Sequence, residues 1–196
     1  MSENTSITLL DRLCSGNDEA DWRLFVELYQ PFVRRQLQAR QIPTRDLDDL
    51  YQEAMVQVCR GIRSFDHNGR VGAFRKWLKT IVSQRVWRYM RAKQQNGTSL
   101  FTEVDDLCPV DDEFDAVWDR EHDAFLVNRI LDVVRQEFTA TTWEAFDRQV
   151  LREQSPRHVA EHLCLSVNAV LIAKSRVMRR LREIGQGLVD VDTICE

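Results

Sequence analysis

FRKWLKTIVSQRVWRYMRAK, residues 74–93, is the stretch from which the rest of the chain is read. It holds seven basic residues (Arg75, Lys76, Lys79, Arg85, Arg88, Arg91, Lys93) and no acidic one. Phe74, Trp77, Leu78, Ile81 and Val82 fall at i, i+3, i+4, i+7 and i+8, the stripe of a helix with one buried face. Past Gln84 the wheel changes: Arg85 and Arg88 enter the arc the apolar residues occupied, and Trp87 and Tyr89 point to different sides. Arginine mixed with large aromatics suits a nucleic-acid strand, with guanidinium for phosphate and ring faces for unstacked bases. The same residues also fit a solvated helix end whose Trp87 and Tyr89 tuck into a neighbour.

The 196 residues suit one medium domain or two small ones. Glycine (7) and proline (4) are scarce. Segments of 3.6 period dominate and alternating strand-like runs are absent, so the expected class is all-α. The net charge of −4 hides a sharp segregation. Residues 70–93 carry Arg70 and the seven bases above with no acid. Residues 94–119 carry eight acids (Glu103, Asp105, Asp106, Asp111, Asp112, Glu113, Asp115, Asp119) and no base. Such blocks imply separate electrostatic tasks. Five widely spaced cysteines form no CxxC pair, which points to a reducing cytosol and away from a disulfide frame or a zinc site. The opening MSENTSITLL lacks a basic n-region and a long apolar core, so no signal peptide is expected. No apolar run approaches the roughly 20 residues of a membrane span. A soluble cytoplasmic protein without membrane insertion is the expectation.

Outward from the basic helix, residues 6–14 read as a short helix and 19–40 as a longer one with Trp22, Phe25, Tyr29, Phe32 and Val33 along one side. Pro31 interrupts the longer one and should kink it. Thr44 is the expected N-cap of a helix that opens with DLDDLYQE (46–53) and runs to about Ile62. Leu47, Leu50, Ala54 and Val58 form its inner stripe, while Asp49, Gln52 and Glu53 share an outer face. Acids in a first turn also simply suit the helix dipole. Residues 64–72 read as a turn-rich loop. The acidic stretch 95–119, with Asn96-Gly97 and Pro109, lacks a period and reads as a linker. A further helix is expected over 120–138, with Phe125, Leu126, Ile130, Val133, Val134 and Phe138 inward. Thr141-Thr142-Trp143-Glu144 matches a capping box that starts the next, with Trp143, Phe146 and Val150 inward.

The C-terminal part holds the clearest local motif. Ser155-Pro156 places an N-cap before a proline at the first helical position. A short helix, the turn Cys164-Leu165-Ser166 and a longer helix over 167–184 give helix-turn-helix spacing. Val170, Ala173, Val177 and Leu181 form the packed side of the longer helix. Asn168, Ile172, Ser175, Arg176 and Arg179 form the opposite side, with Arg182 at its edge, a set that fits a major groove. A basic, solvated C-terminal helix packing on its neighbours is the alternative. His158 and His162 at i, i+4 near Cys164 lack a further ligand, so no metal site is expected. No Gly-rich phosphate loop, nucleophile elbow or catalytic cluster appears, so neither an enzyme nor a cofactor is expected.

With these residues in view, the chain resembles a bacterial RNA polymerase sigma factor of the extracytoplasmic-function (ECF) type within the sigma-70 family, close to its planctomycete-like members. DLDDLYQE is similar to the family's D-x-x-D-L-x-Q-E in Asp46, Asp49, Leu50, Gln52 and Glu53. Residues 74–91 are similar to its F-x-x-W-L-x-x-I helix in Phe74, Trp77, Leu78 and Ile81, with Arg91 matching a later arginine. The stretch from Thr142 to Glu183 resembles its second DNA-binding domain. Gln84 stands where the family often has Asn, Arg88 where Asp is frequent, and Cys164 where the turn glycine is usual. A left-handed backbone at Cys164 would cost about 1 kcal/mol or more.

The resemblance implies a fold of two small helical domains, residues 1–94 and 120–190, joined by the acidic linker 95–119 with no intervening third domain. It implies polymerase binding by Asp46, Asp49, Gln52 and Glu53 on the clamp helices of the largest catalytic subunit. Recognition of the minus-ten element and its melted strand would fall to Arg75, Lys79, Gln84, Arg85, Trp87, Arg88, Tyr89 and Arg91. Asn168, Ile172, Ser175, Arg176 and Arg179 would read the minus-thirty-five duplex from a domain docked on the flap of the second-largest subunit. The acidic linker would lie in polymerase channels otherwise occupied by nucleic acid. An anti-sigma factor is a further partner that the resemblance admits. The competing function is a one-component helix-turn-helix regulator that binds a duplex operator without polymerase.

Overall fold

In the computed structural model the described residues are 8–16, 18–65, 72–94 and 112–189. They form eight α-helices: α1 (Leu9–Ser15), α2 (Glu19–Ala39), α3 (Thr44–Gly61), α4 (Ala73–Gln94), α5 (Asp112–Glu137), α6 (Ala140–Phe146), α7 (Pro156–Leu163) and α8 (Val167–Gly185). A 3₁₀ turn, Ile62–Ser64, extends α3, and a π turn, Asp147–Leu151, extends α6. No strand occurs among the described residues, so the all-α class holds. Residues 66–71 of the expected loop 64–72 and residues 95–111 of the expected linker 95–119 lie outside the described residues, and Ser64 belongs to the 3₁₀ turn.

The helix starts follow from capping chemistry, in two places differently from expectation. Thr8 and Asp11 form a capping box on α1, and Ser155 caps α7 ahead of Pro156. Thr44, expected as a cap, is instead the first residue of α3 after Pro43, and no side chain caps that end. The expected box at Thr141–Glu144 is not used. Thr139 caps α6 two residues earlier, its hydroxyl accepting from the Thr142 backbone N–H at 3.3 Å.

Phe25, Leu28, Tyr29, Phe32, Val33, Gln36 and Leu37 make a continuous 3.6-period stripe on α2, and all are buried. α3 packs beside it, α4 packs on α3 and reaches α2 through the Phe74 ring, and α5 lies across α2. The Pro31 ring stays on the exposed side and the helix continues past it. Pro31 has no N–H to give the carbonyl of Glu27 four residues back. Arg129 of α5 donates to that carbonyl from Nε at 3.3 Å. A backbone defect in one helix thus becomes an acceptor for the next.

α5 overturns part of the linker reading. Residues 112–119, expected to close the linker, are its first two turns. Trp118 explains why: its ring is wholly buried, edge-on to Phe32 at 4.8 Å between centroids. His122, also fully buried, meets Phe32 at 5.3 Å. Trp118, His122, Phe125 and Leu126 stand at i, i+4, i+7 and i+8, so the stripe expected from Phe125 onward begins two turns sooner. Through Leu126, Ile130, Val133 and Val134 the same helix reaches α8, and one contiguous apolar cluster runs from Leu9 to Val189. The buried core therefore spans both sides of the expected linker. A second small cluster, Ala145, Val159, Ala160, Val170 and Ala173, holds α6, α7 and α8 together.

Candidate nucleic-acid interface

α4 sets the first surface. Its buried line is Phe74, Leu78, Val82 and Val86, an i, i+4 ridge that drifts slowly round the helix. The expected break after Gln84 is therefore milder than the wheel suggested. The apolar side rotates to take in Val86, and Tyr89 and Met90 pack at its edge. Trp77 lies against Gly61 at the end of α3, where a Cβ would stand 3.0 Å from the ring. Any larger residue at 61 would push that ring away.

The rotation sends the basic residues in two directions. Arg75 and Lys79 face α5. Arg75 donates from Nη1 to Asp123 Oδ2 at 2.7 Å and lies 3.5 Å from Asp119. Lys79 donates from Nζ to Asp119 Oδ2 at 3.1 Å. Two cations expected on the minus-ten strand thus already hold carboxylates of the same chain. Arg85 turns the other way, toward α3. It lines a shallow cleft with Asp49, Gln52, Glu53, Val56 and Gln57. Burial and the neighbouring Arg88 lower its pKa, while Glu53 opposes the shift. Arg85, expected with the DNA-binding set, sits among the residues expected to bind polymerase.

Asp49, Gln52 and Glu53 are exposed on one side of α3, as their spacing predicts. Val56 stands among them 46% exposed, an aliphatic tip on an acidic face that the sequence reading left out. Asp46, at the start of α3, is drawn to α4 instead. Tyr89 Oη donates to its Oδ2 at 2.6 Å, and this bond raises the tyrosine's pKa. Tyr89 is thereby a strut between the two expected surfaces. Trp87 is half-buried, with the Arg91 guanidinium over its ring at 5.0 Å. Gln84 and Arg88 are half-buried on the same helix.

The second surface belongs to α7 and α8. Cys164 ends α7 at φ 54°, ψ 42°, the left-handed conformation that a helix-turn-helix corner needs. Ser166 caps α8, its hydroxyl accepting from Ala169 N–H at 3.1 Å. Val170, Ala173, Val177 and Leu181 are buried beneath it. Asn168, Ile172, Ser175, Arg176 and Arg179 are all exposed on the other side. Arg180, which the sequence reading did not place, clamps α8 to α5 through Glu137 at 2.6 and 2.8 Å.

Behind the first surface sits a polar trio in which Tyr29 and His122 are buried and Asp123 is half-exposed. His122 Nδ1 meets Asp123 Oδ1 at 2.7 Å and its Nε2 meets Tyr29 Oη at 3.4 Å. A neutral ring that donates from Nδ1 and accepts at Nε2 satisfies both partners. Burial lowers the His122 pKa against the opposing pull of Asp123. Burial also works against the Asp123 carboxylate, but the His122 hydrogen bond and Arg75 outweigh it and hold that pKa below its usual value.

Residues 25–96, which span α2 to α4, match the family model described as Sigma-70 region 2. Region 2 is the part of sigma factors that binds core polymerase and melts promoters. No match to the chain was found among curated proteins. No helix among the described residues is long and apolar enough to cross a membrane.

Proposed function

We propose that the chain is an ECF-type sigma factor of the cytoplasm that directs core RNA polymerase to particular promoters and helps open them. The observation that carries this reading is the region 2 match, laid over an acidic face on α3 and a basic-aromatic face on α4. The exposed trio Asp49, Gln52 and Glu53, with Val56 between them, suits a basic partner surface with an apolar hole, and we assign it to core polymerase. The α4 arginines and Trp87 suit a melted strand. There a base taken from the stack regains contacts that offset its unstacking cost. α7 and α8 suit the duplex upstream.

This reading makes the closed arrangement of α5 on α4 a resting state. Arg75 and Lys79 reach phosphates once those displace Asp119 and Asp123. Sigma factors are not enzymes, and the proposed role needs no catalytic group.

The deciding experiment is co-purification of the full chain with core polymerase, followed by reconstituted transcription. The complex should form and initiate from selected promoters, and Asp49→Lys with Glu53→Lys should abolish assembly without loss of helicity. A duplex operator bound tightly by the chain alone, with no affinity for polymerase, would make it a one-component regulator.

A further inference from the structure

Val167, Leu171 and Ile172 stand 39%, 46% and 49% exposed in the first two turns of α8. Single exposed aliphatics are ordinary on soluble surfaces. These three are not scattered: Val167 and Leu171 are one turn apart, and Leu171 adjoins Ile172. They contribute nothing to the helix's packed side, which is filled by Val170, Ala173 and Val177. Their neighbours on the exposed side are Asn168, Ser175, Arg176 and Arg179. The acid on this helix, Glu183, lies in its last turn and faces Arg179 and Arg180 at 3.8 and 3.4 Å. From Val167 to Arg179 the exposed side of α8 thus presents aliphatic tips first, then short polar groups and positive charge, with no acid.

An apolar protein groove would complement the tips and leave the arginines unmatched. A major groove complements both, because thymine alone among the bases projects a methyl group there, between rows of phosphate. Residues near the start of a recognition helix are the ones that reach base edges. We infer that Leu171, flanked by Val167 and Ile172, is a specificity-determining residue that reads thymine methyls in the upstream duplex. Asn168 and Arg176 read the adjoining adenine and guanine edges. The inference rests on the duplex-reading role proposed above for α7 and α8.

The test uses the full chain assembled with core polymerase and a promoter duplex selected by that complex from a random pool. Each thymine of the upstream element is replaced in turn by deoxyuridine, which removes only the methyl group. Affinity should fall about fourfold at one or two positions, the worth of one buried methyl-sized group. Leu171→Ala and Leu171→Gln should lower affinity for the thymine duplex by a similar factor and lose sensitivity to uracil at the same position. If uracil is silent at every position while Arg176→Ala weakens binding, the duplex-reading role stands and the methyl readout is overturned. If the Leu171 variants lose equally on thymine and uracil duplexes, the readout is also overturned. If neither uracil nor Arg176→Ala and Arg179→Ala changes upstream binding, α8 does not read duplex and both ideas fall.

Discussion

Neutralising Asp119 and Asp123 together probes the contact between α5 and α4. Asparagine keeps the shape of each side chain and leaves an oxygen at 123 to accept from His122, so the polar trio is largely preserved. What disappears is the charge opposite Arg75 and Lys79. Three contacts are affected, at 2.7, 3.5 and 3.1 Å, between groups that are 12 to 48% exposed. Partly exposed pairs of this kind contribute roughly 0.2–1 kcal/mol each. Their loss should therefore weaken the closed arrangement by about 1–2 kcal/mol, and affinity for an opened strand should rise about 5- to 30-fold. The assay is fluorescence anisotropy of the free chain on a labelled single strand, repeated over a range of salt. Wild type regains counterions on its carboxylates as the pairs break. The variant should thus show a steeper dependence of log K on log salt, by up to about 0.7 for each phosphate contact. Because the variant also gains two positive charges overall, Glu19→Gln with Asp132→Asn is the matched control, both residues being exposed and off the α4 contact. Equal affinity and equal slope for variant and control would refute the idea that α5 competes with nucleic acid for α4.

Acidification should loosen the same region. The lowered His122 pKa means stability is present above the ordinary histidine value of 6.5 and is lost as pH falls below it, with Asp123 adding a further loss toward the carboxylate range. Melting temperature should fall between about pH 7 and pH 5, and His122→Gln should flatten that slope; a wild-type melt indifferent to pH would exclude the buried neutral histidine. Cys164→Gly should raise the urea midpoint by an amount equivalent to about 1 kcal/mol, since glycine removes the left-handed penalty, and a lower midpoint would place some other constraint at that corner. The α4 aromatics should separate. Trp87→Leu should slow promoter opening, read by permanganate reactivity of thymines, and be rescued by a premelted bubble. Tyr89→Phe should leave opening intact and lower stability by about 1 kcal/mol through the lost Asp46 bond, so equal opening defects in both would contradict the strut.

Much of the fold was readable because helix periodicity is local. Phe25, Tyr29, Phe32 and Val33 of α2, the inner stripe of α3 and the packed side of α8 are buried where the wheel places them, while Leu28, Gln36, Leu37 and Tyr51 join them unannounced and Trp22 is only partly covered. Ser155 and Pro156 mark α7 without ambiguity. Caps failed where two threonine-rich starts competed: Thr139 and Thr141 both precede helical sequence, and only tertiary packing decides between them. The drift on α4 was misread for a related reason. An ideal wheel assigns Val86 outside a stripe centred on Phe74 and Ile81, whereas a neighbour that crosses at an angle buries an i, i+4 line. Pro31 announces a missing hydrogen bond, but its consequence, a carbonyl released to Arg129, depends on the position of a helix about a hundred residues away.

The charge blocks show most clearly where sequence stops. Eight acids following a run of eight bases state that complementary surfaces exist. They do not state whether the acids meet the chain's own bases or another molecule's. Trp118 decides it for the last turns of the block. A ring of that size at i−4 to a buried histidine forces the helix onto α2, and Asp119 and Asp123 are then carried to Arg75 and Lys79 with no further freedom. The apolar anchor therefore fixes the electrostatic contact, rather than the reverse. A partly exposed ion pair is too weak to dock a helix by itself, but a buried tryptophan can, at roughly 3–5 kcal/mol on truncation. It follows that Trp118→Ala should release Arg75 and Lys79 more completely than loss of either carboxylate.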